Sequence, residues 1–208
     1  TWSAPLTPHR DGTATQHGFV SLVPAGGDRV LAVWLDGRLG AMVAASSKPG
    51  DHEEHEGAMT LRSAVIDGAG TISEETELDD STCSCCQTDA IRIGGRTVVA
   101  YRDRSLQEIR DISLATRNAG GEWLVPRNLH ADNWRIEGCP VNGPAVAANG
   151  AKLLVAWITG ASGDITAKFL IRAGDKAGKV VPLGAGARMR GRLDAVVMAF
   201  PYPTEGVT

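Results

Sequence analysis

Aromatic residues are scarce, only 5% of the 208 positions. Apolar residues never run to the ~20 that a membrane-crossing helix needs, so no membrane span is expected. The 21 Lys and Arg against 24 Asp and Glu are interspersed and leave a net charge of −3. A chain that grips a nucleic-acid backbone concentrates basic residues on one face, so no nucleic-acid partner is expected. Cysteine is limited to four positions, too few to hold a chain of this length as a disulfide framework. The length instead allows one sizeable core or two small ones. No secretory signal opens the sequence, and Thr1 is not a natural start, so part of the chain is expected upstream.

Glycine is abundant at 25 residues, with 10 prolines. The apolar runs are short, rich in Val, Ile, Leu and Ala, and bounded by Gly, Asp or Asn, which reads as strands. Val30 to Asp36, Thr97 to Asp103 and Leu153 to Thr159 are versions of one run. Each follows a strand and a tight turn: Phe19 to Val23 with Gly26-Gly27, Ala90 to Ile93 with Gly94-Gly95, and Ala145 to Ala148 with Asn149-Gly150. Such pairs supply the positive φ of a two-residue hairpin. Third strands are expected at Met59 to Ile66, Ile112 to Thr116 and Ile165 to Ile171, and weaker fourth ones at Thr76 to Leu78, Trp123 to Leu129 and Lys179 to Leu183. Helical periodicity is nearly absent.

Four antiparallel strands repeated three times predict an all-β fold, a β-propeller with blades over 17–80, 89–130 and 143–184. Partial strands are expected at 1–6 and 192–200. A β-sandwich is the alternative, and it gives no reason for one hairpin to recur three times.

The turn Thr116-Arg117-Asn118-Ala119-Gly120-Gly121-Glu122-Trp123 resembles a degenerate Asp box, the repeat of sialidases and related BNR proteins. Thr1 to Pro5 resembles the tail of another. His9 to Gly12, Gln16 to Phe19, Thr82 to Thr88, Tyr101 to Ser105 and Gly138 to Pro144 resemble a bacterial exo-α-sialidase-like group over about residues 1–170. The resemblance implies a six-bladed propeller, which needs about twice this length, so a missing segment or further copies would complete the ring. The family's arginine triad, Tyr–Glu pair and F-R-I-P motif are not recognisable in this chain.

The loops leading into each first strand and those joining second to third strands lie at one end of a blade. That end gathers His9 to His17, Cys83 to Thr88, Gly138 to Asn142, Asp36 to Ala58, Asp103 to Arg110 and Gly160 to Asp164. Glycoside hydrolysis needs two carboxyl groups, or a tyrosine helped by one, and Asp103, Glu108 and Tyr101 are the candidates, with Asp194 a further acid. Arg102, Arg104, Arg110 and Arg192, with His17 and Asn142, are candidates for holding an acidic sugar. The same charges also read as a salt-bridge lattice that fixes the loop.

Cys83, Cys85, Cys86 and Cys139 read as two disulfides in an exported, secreted or periplasmic protein. Alternatively they are soft-metal ligands for copper or zinc, joined by His17, His9 or His130. Asp51 to Glu56 reads as an exposed acidic loop, lacking the H-E-x-x-H spacing of a zinc site. Trp34, Tyr101 and Trp157 occupy equivalent second-strand positions and read as inter-blade wedges. Two functions follow: a sialidase-like propeller that binds or hydrolyses a glycan, or a non-catalytic propeller with a Cys/His-lined mouth that binds a metal or a partner protein.

Overall fold

The computed structural model describes residues 4–46, 59–174, 176–186 and 192–196. The acidic stretch Asp51 to Glu56 lies outside them, as do residues 1–3 and 197–200 of the two expected partial strands. Residues 4–6 and 192–196 form no strand.

Three antiparallel sheets follow one another along the chain. The first runs β1 (His17–Gly26), β2 (Arg29–Asp36), β3 (Met59–Ile66) and β4 (Ile72–Thr82). The second runs β5 (Asp89–Ile93), β6 (Arg96–Arg102), β7 (Ile112–Arg117) and β8 (Trp123–His130). The third runs β9 (Ala145–Asn149), β10 (Lys152–Thr159) and β11 (Thr166–Ala173), with β12 (Lys176–Ala177) and β13 (Val181–Ala185) both paired to β11. β1 lies beside β5 and β5 beside β9, while the outer β4 lies beside β8. First strands are therefore innermost and the sheets are set side by side, a propeller-like arrangement.

One helix departs from the all-strand expectation: α1 (Arg38–Ser46) follows β2 directly. Its residues include Leu39, Ala41, Met42, Ala44 and Ala45, good helix formers too few in number to register as a periodic pattern.

The second strand of the middle sheet, β6, is apolar on both faces because a neighbouring sheet covers each one. Leu31, Val33 and Leu35 pack with Leu61, Val99 and Tyr101 between the first and second sheets. Val98, Ala100 and Ile112 pack with Val146, Val155 and Trp157 between the second and third. Burying one such Val or Leu contributes roughly 1.5–3 kcal/mol, so these seams hold the sheets together. The opposite face of the first sheet carries Ala32, Trp34 and Ala64.

Gly94-Gly95, between the paired Ile93 and Arg96, is a two-residue hairpin loop with positive φ at both positions. The other two turns fall one residue later than expected, on Gly27-Asp28 after the paired Gly26 and on Gly150-Ala151 after the paired Asn149. At the same end of the second sheet as the Gly94-Gly95 turn, Asn118 caps the β7–β8 turn. Its Oδ1 accepts from the Glu122 N–H at 3.0 Å and its carbonyl from Gly121 N–H at 3.0 Å. Trp123 then packs against the seam with the first sheet.

Candidate functional site

The loops ahead of β1, β5 and β9 and those after β2, β6 and β10 meet at one end of the three sheets, and hydrogen bonds tie them. Gly37 N–H donates to Gln16 O at 2.9 Å, and Cys83 N–H to Arg102 O at 3.0 Å. Gly143 N–H donates to Gln87 Oε1 at 2.9 Å. Gly143 has no room for a side chain, since a Cβ there would meet the Gln87 carbonyl oxygen.

Arg102 sits at the centre of this junction with 2% of its surface exposed. Its Nε donates to Asn142 O at 2.8 Å, Nη1 to Arg110 O at 2.5 Å and Nη2 to Ile158 O at 2.7 Å. The guanidinium also lies 5.0 Å from the Trp134 ring centroid. Arg102 thus braces two loops and the end of β10. Asn142 contributes its main chain to this brace, the carbonyl to Arg102 and the N–H to the Cys86 sulfur.

Glu108 lies between two other candidate arginines. Arg104 Nη2 reaches its Oε1 at 2.6 Å, and Arg110 Nη2 reaches Oε2 at 2.7 Å. Burial would raise the Glu108 carboxyl, but hydrogen bonds from Arg104 and Arg110 outweigh it and hold the group below its ordinary range. Glu108 itself takes a left-handed φ of 60°, which directs the loop so that both forks are filled. The arrangement is a salt-bridge lattice in which Glu108 occupies the place a ligand carboxylate would take.

Trp34, Tyr101 and Trp157 sit fully buried at equivalent positions, and each hands its polar tip to a carboxylate. Trp34 Nε1 donates to Asp36 Oδ2 at 2.8 Å, Tyr101 Oη to Asp79 Oδ2 at 2.5 Å and Trp157 Nε1 to Asp132 Oδ2 at 2.6 Å. Tyr101 thereby bridges β6 to β4 of the preceding sheet. Burial is the main reason its phenol is pushed up, with the Asp79 charge adding to it. Asp103 lies nearby, accepting from Ser113 Oγ at 2.9 Å and from Arg104 N–H at 2.7 Å. Burial raises its carboxyl against those hydrogen bonds.

Asp79 is pushed up from 3.8 to about 6, chiefly by burial and further by Asp103 and Asp80, against hydrogen bonds from Tyr101 and Ser81. Between those two values the folded chain keeps a proton that the unfolded chain has lost, so this group makes stability fall as pH rises. Full ionisation costs on the order of 2–3 kcal/mol. Asp79→Asn keeps an acceptor for Tyr101 and is expected to be more stable than the parent at neutral pH, with little difference at pH ~4. Denaturant midpoints at the two pH values measure this; an equal gap at both contradicts it.

A fourth group gathers where β1 begins. Asp11 Oδ2 lies 2.9 Å from His17 Nε2, 3.0 Å from His9 Nδ1 and 3.0 Å from Arg38 Nη2. The His9 and His17 rings stack with centroids 3.6 Å apart. Asp36 lies behind, with Oδ2 3.4 Å from His17 Nε2 and 2.7 Å from Arg38 Nη2. Burial would raise Asp11, but hydrogen bonds from Thr13 and His17 and the Arg38 charge hold it well below the carboxylate range. Two positions along β1, the Arg192 guanidinium lies 5.9 Å from the Phe19 ring centroid. Asp194, two residues on, is close enough to raise Asp89 at the start of β5, after burial as the main cause.

The cysteines divide. Cys85 and Cys139 form a disulfide, with Cα atoms 6.3 Å apart, while Cys83 and Cys86 are buried thiols. This corrects the expectation of two disulfides: three cysteines fall within four residues of β4–β5 chain, and only Cys85 faces the loop that brings Cys139. His17 sits with His9 and Asp11 instead of with the sulfurs, and His130 lies 3.6 Å from Asp132. One donor atom each from His9, Asp11 and His17 falls within a 4.8 Å span, as do the sulfurs of Cys83, Cys85 and Cys86. A cation at the first set would have to displace Arg38, and a soft ion at the second has only two thiols unless the disulfide is reduced.

Sequence reasoning passed over Asp36, Arg38, Asp132 and Trp134. The Trp-x-Asp spacing of Trp34 and Asp36 at the end of β2 is a local signal for the first. The contacts of Asp132 and Trp134 span more than twenty residues, and nothing local announces them.

No protein-family model matches the chain, and no curated protein matches it. Solved structures similar to it include Zg3597, a family 117 glycoside hydrolase of the marine bacterium Zobellia galactanivorans, with TM-score 0.45 and 10% identity over 76% of this chain and 52% of that one. Another is the catalytic domain of the Coprinopsis cinerea GH62 alpha-L-arabinofuranosidase, with TM-score 0.49 and 11% identity over 88% of this chain and 55% of that one. A third is Kuenenia stuttgartiensis hydrazine synthase, with TM-score 0.39 and 11% identity over 84% and 53%. The chain spans about half the length of each.

Proposed function

We propose that this chain is part of an exported, sialidase-like propeller that binds an acidic glycan on the loop face just described and hydrolyses its terminal glycosidic bond. The observation that carries the reading is the group around the start of β1. Arg192 lies over Phe19, two residues from a carboxylate and imidazole pair, Asp11 and His17. An arginine stacked on a ring presents its N–H edge to a sugar carboxylate, and the ring offers an apolar sugar face a surface. Asp11, held ionised, supplies the base or the charge that stabilises an oxocarbenium ion, and His17 carries a proton to or from it. Tyr101, Asp103 and Glu108 belong to the scaffold in this reading, and so do Arg102, Arg104 and Arg110, whose donors are already engaged. The Cys85–Cys139 disulfide favours an oxidising, secreted or periplasmic setting. Among the described residues no helix is long and apolar enough to cross a membrane.

The test uses the full-length gene product with fluorogenic sialosides and uronides between about pH 4 and pH 8. Calorimetry with free N-acetylneuraminic acid runs alongside. Arg192→Ala is expected to weaken the acidic ligand by about 10- to 100-fold, the worth of one charge-assisted contact, and to leave neutral glycosides unchanged. Asp11→Asn is expected to abolish turnover while binding persists. Binding without turnover in the parent removes the hydrolase and leaves recognition; neither binding nor turnover overturns the reading.

A further inference from the structure

Cys83 and Cys86 frame a C-x-x-C segment, Cys83-Ser84-Cys85-Cys86, and the intervening Cys85 carries the disulfide to Cys139. Two thiols and one disulfide therefore share one site. The Cys83 sulfur lies 3.7 Å from the Cys85 sulfur, and the sulfurs of Cys83, Cys85 and Cys86 all fall within 4.8 Å of one another. Arg110 Nη1 donates to the Cys83 sulfur at 3.6 Å. The buried thiols lie behind a half-buried Cys85, and Cys139 is exposed on the far side.

We propose that the four cysteines form an internal thiol–disulfide relay that carries two electrons from the buried Cys83–Cys86 pair to the surface Cys85–Cys139 pair. In the first step the Cys83 thiolate attacks Cys85 Sγ, the Cys83–Cys85 bond forms, the Cys85–Cys139 bond breaks, and Cys139 leaves as a thiolate. In the second, Cys86 attacks Cys83 Sγ, a Cys83–Cys86 disulfide forms and Cys85 leaves as a thiolate. One disulfide is lost and one gained. The protons of the buried pair pass to the surface pair, and no outside oxidant or reductant is needed. The surface dithiol so produced is the point at which an external disulfide would be reduced: Cys139 forms the mixed disulfide and Cys85 resolves it, restoring the starting bond.

Several features fit this order. The Cys83 thiol is pushed down, first by the Cys86 hydrogen bond and then, against burial, by Cys85 N–H and Arg110. Cys86 is pushed up, by Cys83 and by burial, as suits a resolving thiol that must not attack first. The loop after Cys139 contains Val141 at a left-handed φ of 56°, a conformation a β-branched residue adopts only under constraint. Asn142 in the same loop holds Arg102, so the relay's state reaches the junction that Arg102 braces. The relay is independent of the glycan reading.

Trypsin separates the players: one peptide, Ser63 to Arg92, holds Cys83, Cys85 and Cys86, and another, Ile136 to Lys152, holds Cys139. The folded protein is incubated without reductant in a bulky polar maleimide and digested, and the peptides are weighed. Over seconds to hours, the range of thiol–disulfide reshuffling, the parent is expected to lose the cross-link between the peptides. It gains maleimide on Cys139, and the other peptide gains an internal disulfide with one maleimide on its remaining cysteine, Cys85. Cys83→Ser is expected to keep the cross-link. Cys86→Ser is expected to label Cys139 still and to stop at the Cys83–Cys85 bond, so a result survives even if Cys83→Ser fails to fold. A parent that keeps its cross-link, or takes maleimide on Cys83 with the cross-link intact, overturns the proposal. Equal release of Cys139 in a folded Cys83→Ser variant does so as well.

Discussion

Replacing Asp36 by alanine is expected to destabilise the fold by about 3–5 kcal/mol, the cost of removing one partner of a buried ion pair. The carboxylate has no exposed surface. It accepts from Trp34 Nε1 at 2.8 Å and from Arg38 N, Nε and Nη2 at 3.0, 2.9 and 2.7 Å. The alanine variant leaves a buried indole N–H without an acceptor and the Arg38 guanidinium without its nearest counter-charge. The Arg38 backbone N–H that opens α1 also loses its cap, which alone is worth about 0.5–2 kcal/mol. Asp36→Asn keeps an acceptor oxygen and is expected to recover part of the loss. Burial would raise the Asp36 carboxyl, but Arg38 and Trp34 together depress it. Its stabilisation is therefore present above the unfolded value of 3.8 and disappears as pH falls through the lower folded value. Chemical denaturation of both variants at neutral pH measures the effect. A loss under about 1 kcal/mol for alanine would show that solvent replaces these contacts and that the cluster is not buried as described.

Arg102→Met is expected to cost a similar amount, about 3–5 kcal/mol, or on the order of 10 °C in melting temperature. Three carbonyls, on Asn142, Arg110 and Ile158, lose their donors together. Each orphaned buried acceptor costs about 1–3 kcal/mol, and methionine's apolar volume offsets part of the sum. Arg102→Lys distinguishes geometry from charge. Lysine keeps the cation but has no planar fork to meet three carbonyls on two loops and a strand, so most of the loss is expected to remain. A lysine variant as stable as the parent would mean that charge near the sulfurs, and not the fork, is what this position supplies.

The strands were legible because their causes are local. Period-two apolar runs and Gly-Gly turns placed β3 at Met59–Ile66 and the start of β8 at Trp123, and the tripled hairpin gave three successive sheets. The end at which the loops meet was legible for the same reason, since in an antiparallel sheet alternate connections share an end. The roles of single side chains were not. Arg102, Arg104 and Arg110 look alike in sequence, yet one ends on main-chain carbonyls and the other two on Glu108. Only the distance between loops decides that. Asp11 attracted little notice as one acid in a polar stretch, and it becomes a hub because two imidazoles of its own loop and Arg38 at the start of α1 reach one oxygen.

Taken by itself, then, the sequence determined the strand-rich, antiparallel character, the recurring hairpin and the end of the sheets that carries the unusual residues, because backbone periodicity and turn chemistry act over a few neighbouring positions. Tertiary structure alone decided which cysteines are joined, which arginines are already engaged and which carboxylates are held ionised. Those outcomes depend on burial and on how the loops fold and meet, as with Cys85 and Cys139, separated by 54 residues and joined across two loops.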